Sequence, residues 1–214
     1  MKITAIQTSP RQNANTALLL ESLLERAKND GADIELVHLN ALDFRGCRSC
    51  LICKLNASPM LQNSECFMKD GLSPVLNRVK ESDILLIASP VYFGSLSADC
   101  YAFLERLFFS ANVYDENRSS LFPKRLPTGY ILTMNRDFIG DYDTMLNRIM
   151  FFHDRIIGPC ESLMITDTCQ FDDYSKYYAP VFDAEHKKQQ RERLITEEVN
   201  RAYEMLNKLI SYIR

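Results

Sequence analysis

The run Ile84-Leu85-Leu86-Ile87-Ala88 constrains this chain more than any other stretch, because it is apolar at five successive positions. A strand with one wet face alternates apolar and polar residues. An unbroken run therefore reads as a strand covered on both faces, the situation of a parallel sheet with helices on either side. Comparable runs near 2–8, 33–38, 127–134 and 160–166 alternate with periodic segments near 15–29, 70–81, 97–111, 141–156 and 184–212. That order predicts an α/β chain: a three-layer sandwich with a five-stranded parallel sheet and helices on both faces. In the last segment Ile195, Val199, Ala202, Leu206, Leu209, Ile210 and Ile213 recur at helical spacing and predict one face against the sheet. With 214 residues, 46% of them hydrophobic, the chain is expected to form one domain over 1–214, with a cysteine-rich insertion at about 45–69.

Between the first strand and first helix lies Ser9-Pro10-Arg11-Gln12-Asn13-Ala14-Asn15-Thr16. A helix start exposes unpaired N–H groups and a partial positive charge, so a polar loop there can hold a phosphate. Ser9, Asn13, Asn15 and Thr16 can each donate a hydrogen bond, and Arg11 adds a charge-assisted one. The alternative is that Asn15 or Thr16 merely caps the helix. No Gly-x-Gly-x-x-Gly follows the strand and no Gly-Lys-Ser/Thr occurs, which excludes the dinucleotide fingerprint and the P-loop. A side-chain loop of this kind suits the terminal phosphate of a mononucleotide such as FMN. In the doubly wound order 2-1-3-4-5 the first and third strands are neighbours, and ligands bind in the crevice where their connections part. The polar loop after strand one and the aromatic loop Ser89-Pro90-Val91-Tyr92-Phe93-Gly94-Ser95 after strand three should meet there.

Thr8 to Thr16, Cys47-x-x-Cys50-x-x-Cys53 with Cys66 further on, Ser89 to Ser95, and Phe103-Leu104-Glu105-Arg106 together resemble the NADPH-dependent FMN reductase and iron–sulfur flavoprotein family of flavodoxin-like proteins. The likeness covers roughly residues 1–110. It implies that Ser9, Arg11, Asn13, Asn15 and Thr16 bind the FMN phosphate. It also implies that Pro90, Val91, Tyr92, Phe93 and Gly94 lie along the ribityl chain and isoalloxazine, with NAD(P)H as co-substrate. The family often has glycine where this chain has Ala14, and a glycine-rich turn where it has Thr133-Met134-Asn135. Asn135 is the candidate for the flavin's pyrimidine edge.

Cys47, Cys50, Cys53 and Cys66 supply the four thiols that a [4Fe–4S] cluster requires, although twelve residues separate the last two. Zinc, or plain thiols beside the flavin, are the other readings. Cys100 and Arg106 match a Cys-x5-Arg phosphatase spacing, but the apolar residues between them cannot wrap a phosphate. Cys160 and Cys169 read as core or edge thiols, and His38, His153 and His186 as surface or packing residues. The segment 171–182 reads as an ordered aromatic surface loop, the alternative being a cover for the flavin or for a partner subunit.

A net charge of −3 offers no field for nucleic acid. With no apolar run long enough for a membrane span and no signal-peptide pattern, the protein is expected to be cytoplasmic, without membrane partners. The segment Tyr101 to Phe109 is apolar around more of its circumference than one sheet face buries, which predicts a homodimer or higher oligomer. The leading functional expectation is an oxidoreductase passing electrons from NAD(P)H through FMN to a small acceptor such as a quinone or free flavin. The alternatives are an FMN and iron–sulfur electron-transfer protein with a protein partner, and a flavin-free, zinc-stabilised binding module.

Overall fold

The computed structural model describes residues 1–137, 140 and 142–213, and of Tyr142 and Asp143 the backbone alone. The strands are β1 (Lys2–Gln7), β2 (Asp33–His38), β3 (Ile84–Tyr92), β4 (Ser95–Leu96), β5 (Thr128–Thr133) and β6 (Cys160–Ile165). The helices are α1 (Asn15–Asn29), α2 (Pro59–Gln62), α3 (Leu72–Glu81), α4 (Ala98–Ala111), α5 (Tyr142–Ile156), α6 (Ala184–Arg193) and α7 (Val199–Ser211). The sheet order is β2-β1-β3-β5-β6, all parallel. Counted over these five strands it is the expected 2-1-3-4-5 order. The departure is β4, a two-residue strand that folds back antiparallel on β3. For α5 the expected first position, 141, lies outside the described residues.

Alternation along Ile84–Ala88 of β3 shows why every residue of that run is apolar. Ile84, Leu86 and Ala88 join the core beneath α1 and α7, while Leu85 and Ile87 join the core beneath α3, α4 and α5. Each such side chain contributes roughly 1.5–3 kcal/mol by leaving water. The two cores are thus built on one central strand, and both are anchored where β3 heads for the carboxyl edge.

The expected final helix, 184–212, is not continuous. A π-helical turn over Leu194–Glu198 separates α6 from α7. A π turn inserts one residue, so the inward stripe that runs Val199, Ala202, Leu206, Leu209 continues backward to Leu194, 1% exposed, instead of Ile195, 51% exposed. Ile213, beyond the end of α7, is also exposed. Glu198 is buried within the turn and accepts from Arg193 at 2.5 Å and Arg201 at 2.6 Å.

His153 on α5 is fully buried and bonded at both ring nitrogens, to the Tyr130 hydroxyl at 2.7 Å and the Thr128 hydroxyl at 2.8 Å. The Thr128 hydroxyl gives its own proton to the Leu126 carbonyl, so Nε2 of the ring is the donor and Nδ1 accepts from Tyr130. Burial, with a smaller push from Arg125, lowers the imidazole pKa to about 3. A depressed folded-state value means the unfolded chain takes up the proton first as pH falls. Stability from this residue is therefore fully present above the ordinary histidine pKa and is lost between about 6.5 and 3, at up to ~1.4 kcal/mol per pH unit. We expect His153→Gln to be less stable at neutral pH and to show a shallower decline in urea-unfolding stability over that window. An unchanged decline would contradict the assignment.

Candidate functional site at the carboxyl edge of the sheet

The loops after β1 and β3 are joined by a buried knot of hydroxyls. The Thr8 amide donates to the Ala88 carbonyl at 2.9 Å, extending the β1–β3 ladder by one residue. The Ser97 hydroxyl donates to the Thr8 hydroxyl at 2.8 Å, the Ser97 amide donates to the Ser89 hydroxyl at 3.1 Å, and Ser89 donates to the Pro90 carbonyl at 2.9 Å. Ser97 also caps α4, accepting from the Cys100 amide at 3.4 Å. All three hydroxyl residues are buried. One cluster therefore fixes the end of β1, the far part of β3 and the start of α4.

The expected aromatic loop is in part a strand, since β3 runs four residues past Ala88 and carries Pro90, Val91 and Tyr92. Proline is tolerated because the Ala88 carbonyl faces β1 and residue orientation alternates, so the Pro90 nitrogen points to the side of β1 just past its last ladder bond, from the Thr8 amide to Ala88. Phe93 (φ 49°) and Gly94 (φ 78°) then form a two-residue turn, with Tyr92 opposite Ser95. Positive φ at both positions is the geometry that a tight hairpin requires, and it is unfavourable at Phe93. The phenyl ring stands fully in solvent at the tip.

In the polar loop, Ala14 occupies the N-cap with no side-chain cap bond, so neither Asn15 nor Thr16 serves as the cap. Both are buried and reach other elements. The Thr16 hydroxyl pairs with that of Thr133 on β5 at 2.7 Å, and Asn15 Nδ2 donates to the Cys169 carbonyl at 2.8 Å. Arg11 Nη1 donates to the Gln170 carbonyl at 2.7 Å, and the Ser9 hydroxyl accepts from the Arg11 amide at 3.2 Å, while Asn13 is exposed. The strap after β6 thus holds one donor each of Arg11 and Asn15.

Sequence reasoning missed this strap and its support. Asp167, in the left-handed region (φ 57°), donates its amide to the Arg136 carbonyl at 2.6 Å. Lys187 of α6, 4% exposed, donates to the Asn135 carbonyl at 2.7 Å and to Asp167 at 2.6 Å, while His186 binds the other Asp167 oxygen at 2.6 Å. Burial pushes the Asp167 pKa up, but hydrogen bonds and charge from Lys187 and His186 outweigh it and leave it lowered. The only signal in the sequence was a lysine in a helix otherwise polar all round. Phe171 and Tyr177 stack at 4.2 Å in the strap's continuation. At this edge Asn15 Oδ1, Asn135 Oδ1 and both amide atoms of Gln7, the last residue of β1, are buried without partners among the described residues. Orphaned polar atoms at converging strand ends call for a partner, and these side-chain amides, which both donate and accept, fit the polar groups of a flavin mononucleotide.

The four cysteines surround a second place. Cys47, Cys50, Cys53 and Cys66 line one small cavity with Arg48, Phe67, Met68, Arg106 and Phe109. Ser49 (φ 52°) and Leu51 (φ 60°) are left-handed, and the Ser49 amide donates to Cys47 Sγ at 3.4 Å. Alternating left-handed residues turn amides inward, as anion and iron–sulfur sites use them. Arg106 of α4, 1% exposed, holds both ends of the segment: the Arg45 carbonyl at 3.2 Å, the Met68 carbonyl at 3.4 Å and Asp70 at 2.5 Å. Burial raises the Asp70 pKa, and the hydrogen bond and charge of Arg106 more than reverse this. The arginine of the apparent Cys-x5-Arg match is thus a clamp, and Cys100 is buried with its thiol pKa pushed up to about 12 by burial. Among the described residues no three histidine, cysteine or acidic side chains converge on a single-ion position.

A third feature is an apolar trough of about 520 Å³ between α4 and α5, lined by Tyr101, Leu104, Phe108, Met145, Ile149 and Phe152. It lies on the α4 surface that the sequence marks as too apolar for one sheet. No helix among the described residues is long and apolar enough to cross a membrane.

Ser97→Ala removes the hinge of the hydroxyl knot and the α4 cap together. We expect a loss of roughly 1–3 kcal/mol in urea unfolding. A loss under a few tenths would mean the knot does not hold the edge together.

Residues 1–125 match the sequence profile of the NADPH-dependent FMN reductase family. An iron–sulfur flavoprotein of Archaeoglobus fulgidus is 31% identical over 107 residues, 50% of this chain and 46% of that one. An iron–sulfur flavoprotein of Methanocaldococcus jannaschii is 31% identical over 106 residues, 50% of this chain and 51% of that one. The chain thus spans about half the length of these curated relatives. Solved structures share the fold: an NAD(P)H:quinone oxidoreductase from Methanothermobacter marburgensis (TM-score 0.63, 14% identity, 94% of this chain and 97% of that one) is one example. An FMN-dependent NADH-azoreductase from Bacillus anthracis is another (TM-score 0.60, 11% identity, 95% of this chain and 100% of that one). With a profile match across more than half its length, covering the polar loop, the β3 hairpin and the cysteine cavity, the chain belongs to the NADPH-dependent FMN reductase family.

Proposed function

We propose that the chain is a single FMN-binding unit that takes reducing equivalents from NAD(P)H and passes them to a small acceptor such as a quinone or free flavin. The observation that carries this reading is the hydroxyl knot of Thr8, Ser89 and Ser97, which fixes the polar loop and the β3 hairpin at the β1–β3 switch point, beside unpartnered amides. Ser9, Arg11, Asn13, Asn15 and Thr16 would hold the phosphate. Arg11 and Asn15 keep free donors for this beyond those given to the strap. Pro90 to Gly94 would lie along the ribityl chain and ring, and Asn135 at the pyrimidine edge. The bound flavin supplies the redox chemistry; the protein orients it and excludes water. Fold neighbours named as a quinone oxidoreductase and an azoreductase support a small acceptor.

The cysteine cavity favours a second reading, in which Cys47, Cys50, Cys53 and Cys66 hold a [4Fe–4S] cluster that relays electrons to a protein partner. Four thiols around one cavity, an amide on sulfur and two nearby arginines suit a multi-iron anionic group. We further propose that two copies associate through the α4–α5 trough, and that the protein works in the cytoplasm, where seven free thiols stay reduced.

Anaerobically purified protein should show flavin bands that bleach on adding NADPH or NADH, and a broad shoulder if the cluster is present. No colour after added FMN would support the flavin-free, zinc-stabilised alternative. One crevice with no second nucleotide motif implies that donor and acceptor use the flavin face in turn. Initial rates with both concentrations varied should give parallel double-reciprocal lines; intersecting lines would show a ternary complex and a second binding surface.

A further inference from the structure

The Arg106 side chain has no solvent exposure. A guanidinium carries five N–H donors, two on each terminal nitrogen and one on Nε. Four of them are used here. Nη1 donates to the Arg45 carbonyl at 3.2 Å and Asp70 Oδ2 at 2.5 Å, and Nη2 to the Met68 carbonyl at 3.4 Å and the Ser73 hydroxyl at 3.5 Å. The fifth, Nε–H, is buried and has no partner among the described residues. Arg106 also lines the cavity that Cys47, Cys50, Cys53 and Cys66 surround. A buried, charged N–H without an acceptor is rare in folded chains. Among the described residues Nε bonds to none of the cysteine sulfurs that share its cavity.

We propose that Arg106, besides clamping the segment, is a positioning residue whose Nε–H donates to sulfur of the iron–sulfur group held by these four cysteines. The inference rests on the cluster reading given above. A cationic donor to sulfur stabilises the more negative, reduced form of a thiolate-ligated cluster and so raises its reduction potential. The role differs from that of Asp70, which anchors the guanidinium from outside the cavity. Asp70→Asn keeps the Nε–H and weakens only the anchor. Arg106→Lys keeps the positive charge and removes the planar fork with its Nε–H.

The experiment uses the full chain purified anaerobically, with iron and acid-labile sulfide assayed first and the cluster potential measured by EPR-monitored titration. At the wild-type midpoint, Arg106→Lys should show the ratio of reduced to oxidised cluster lowered by roughly tenfold, a shift of about 59 mV for a one-electron couple. Asp70→Asn should shift it by less than a third of that. Should Arg106→Lys fail to fold, wild-type protein labelled with ¹⁵N-arginine provides the readout. Pulsed EPR of its reduced cluster should show nitrogen coupling that persists in Arg48→Lys. Iron and sulfide present with neither a potential shift in Arg106→Lys nor nitrogen coupling overturns the role of Arg106 alone. Wild-type protein that holds no iron and sulfide overturns the cluster reading, and this inference with it.

Discussion

A hydroxyl proton shared between Ser97 and Thr8 ties together the parts on which the proposed chemistry depends. Parallel strands end wherever their ladders stop, and nothing in a ladder says how the next loop should be aimed. Here Thr8 extends β1 by one bond to Ala88, Ser97 hangs from it, and Ser89 hangs from Ser97. Three short side chains in a dry environment, each with its polar atoms satisfied, make a joint that costs more to break than to keep. From that joint β3 continues as a proline-bearing strand to a hairpin whose tip residue, Phe93, adopts positive φ. Positive φ at a phenylalanine persists only where surroundings enforce it, and the β3–β4 pairing does so.

Helix α4 links the two candidate centres. Its N-cap Ser97 belongs to the hydroxyl knot, while Arg106 belongs to the cysteine cavity, about two and a half turns further along. A rigid helix of 14 residues thereby fixes the cysteine segment relative to the strand ends. The clamp works because Arg106 reaches residues 45 and 68–73, the two ends of a segment otherwise made of short turns. Electrostatics inside such a dry clamp are strong, and Asp70 is held ionised by the guanidinium despite its burial.

The fold was legible because its signals are periodic. The uniformly apolar run Ile84–Ala88 and the alternation of strands and helices both follow from which faces are buried. The misses have local causes that no period reports. The π turn moved one residue, replacing Ile195 by Leu194 on the buried face, because Glu198 found two arginines to neutralise it. Strand β3 outran its apolar run because pairing with β5 continues through Ser89↔Leu132 and Pro90↔Thr133. In the site, the polar loop and the aromatic hairpin were visible as composition next to strand ends. The strap of residues 167–171 and its support by Lys187 were not, because contacts across 159 and 52 residues of sequence leave no mark in either segment alone. Arg106 was visible as part of a shared motif, but its function as a clamp depends on carbonyls that sequence does not place.

The central claim is that the polar loop after β1 holds the phosphate of a flavin mononucleotide. The most direct test compares the affinities of FMN and riboflavin, which differ only by that phosphate, for wild-type protein and for Arg11→Ala/Asn13→Ala, by fluorescence titration at one ionic strength. Wild type should favour FMN by roughly thirtyfold or more, the equivalent of about 2 kcal/mol of phosphate hydrogen bonding, and the double variant should lose most of that preference while binding riboflavin as before. Equal affinities for the two flavins in wild type, or an FMN preference untouched by the double variant, would contradict the claim and move the phosphate away from this loop.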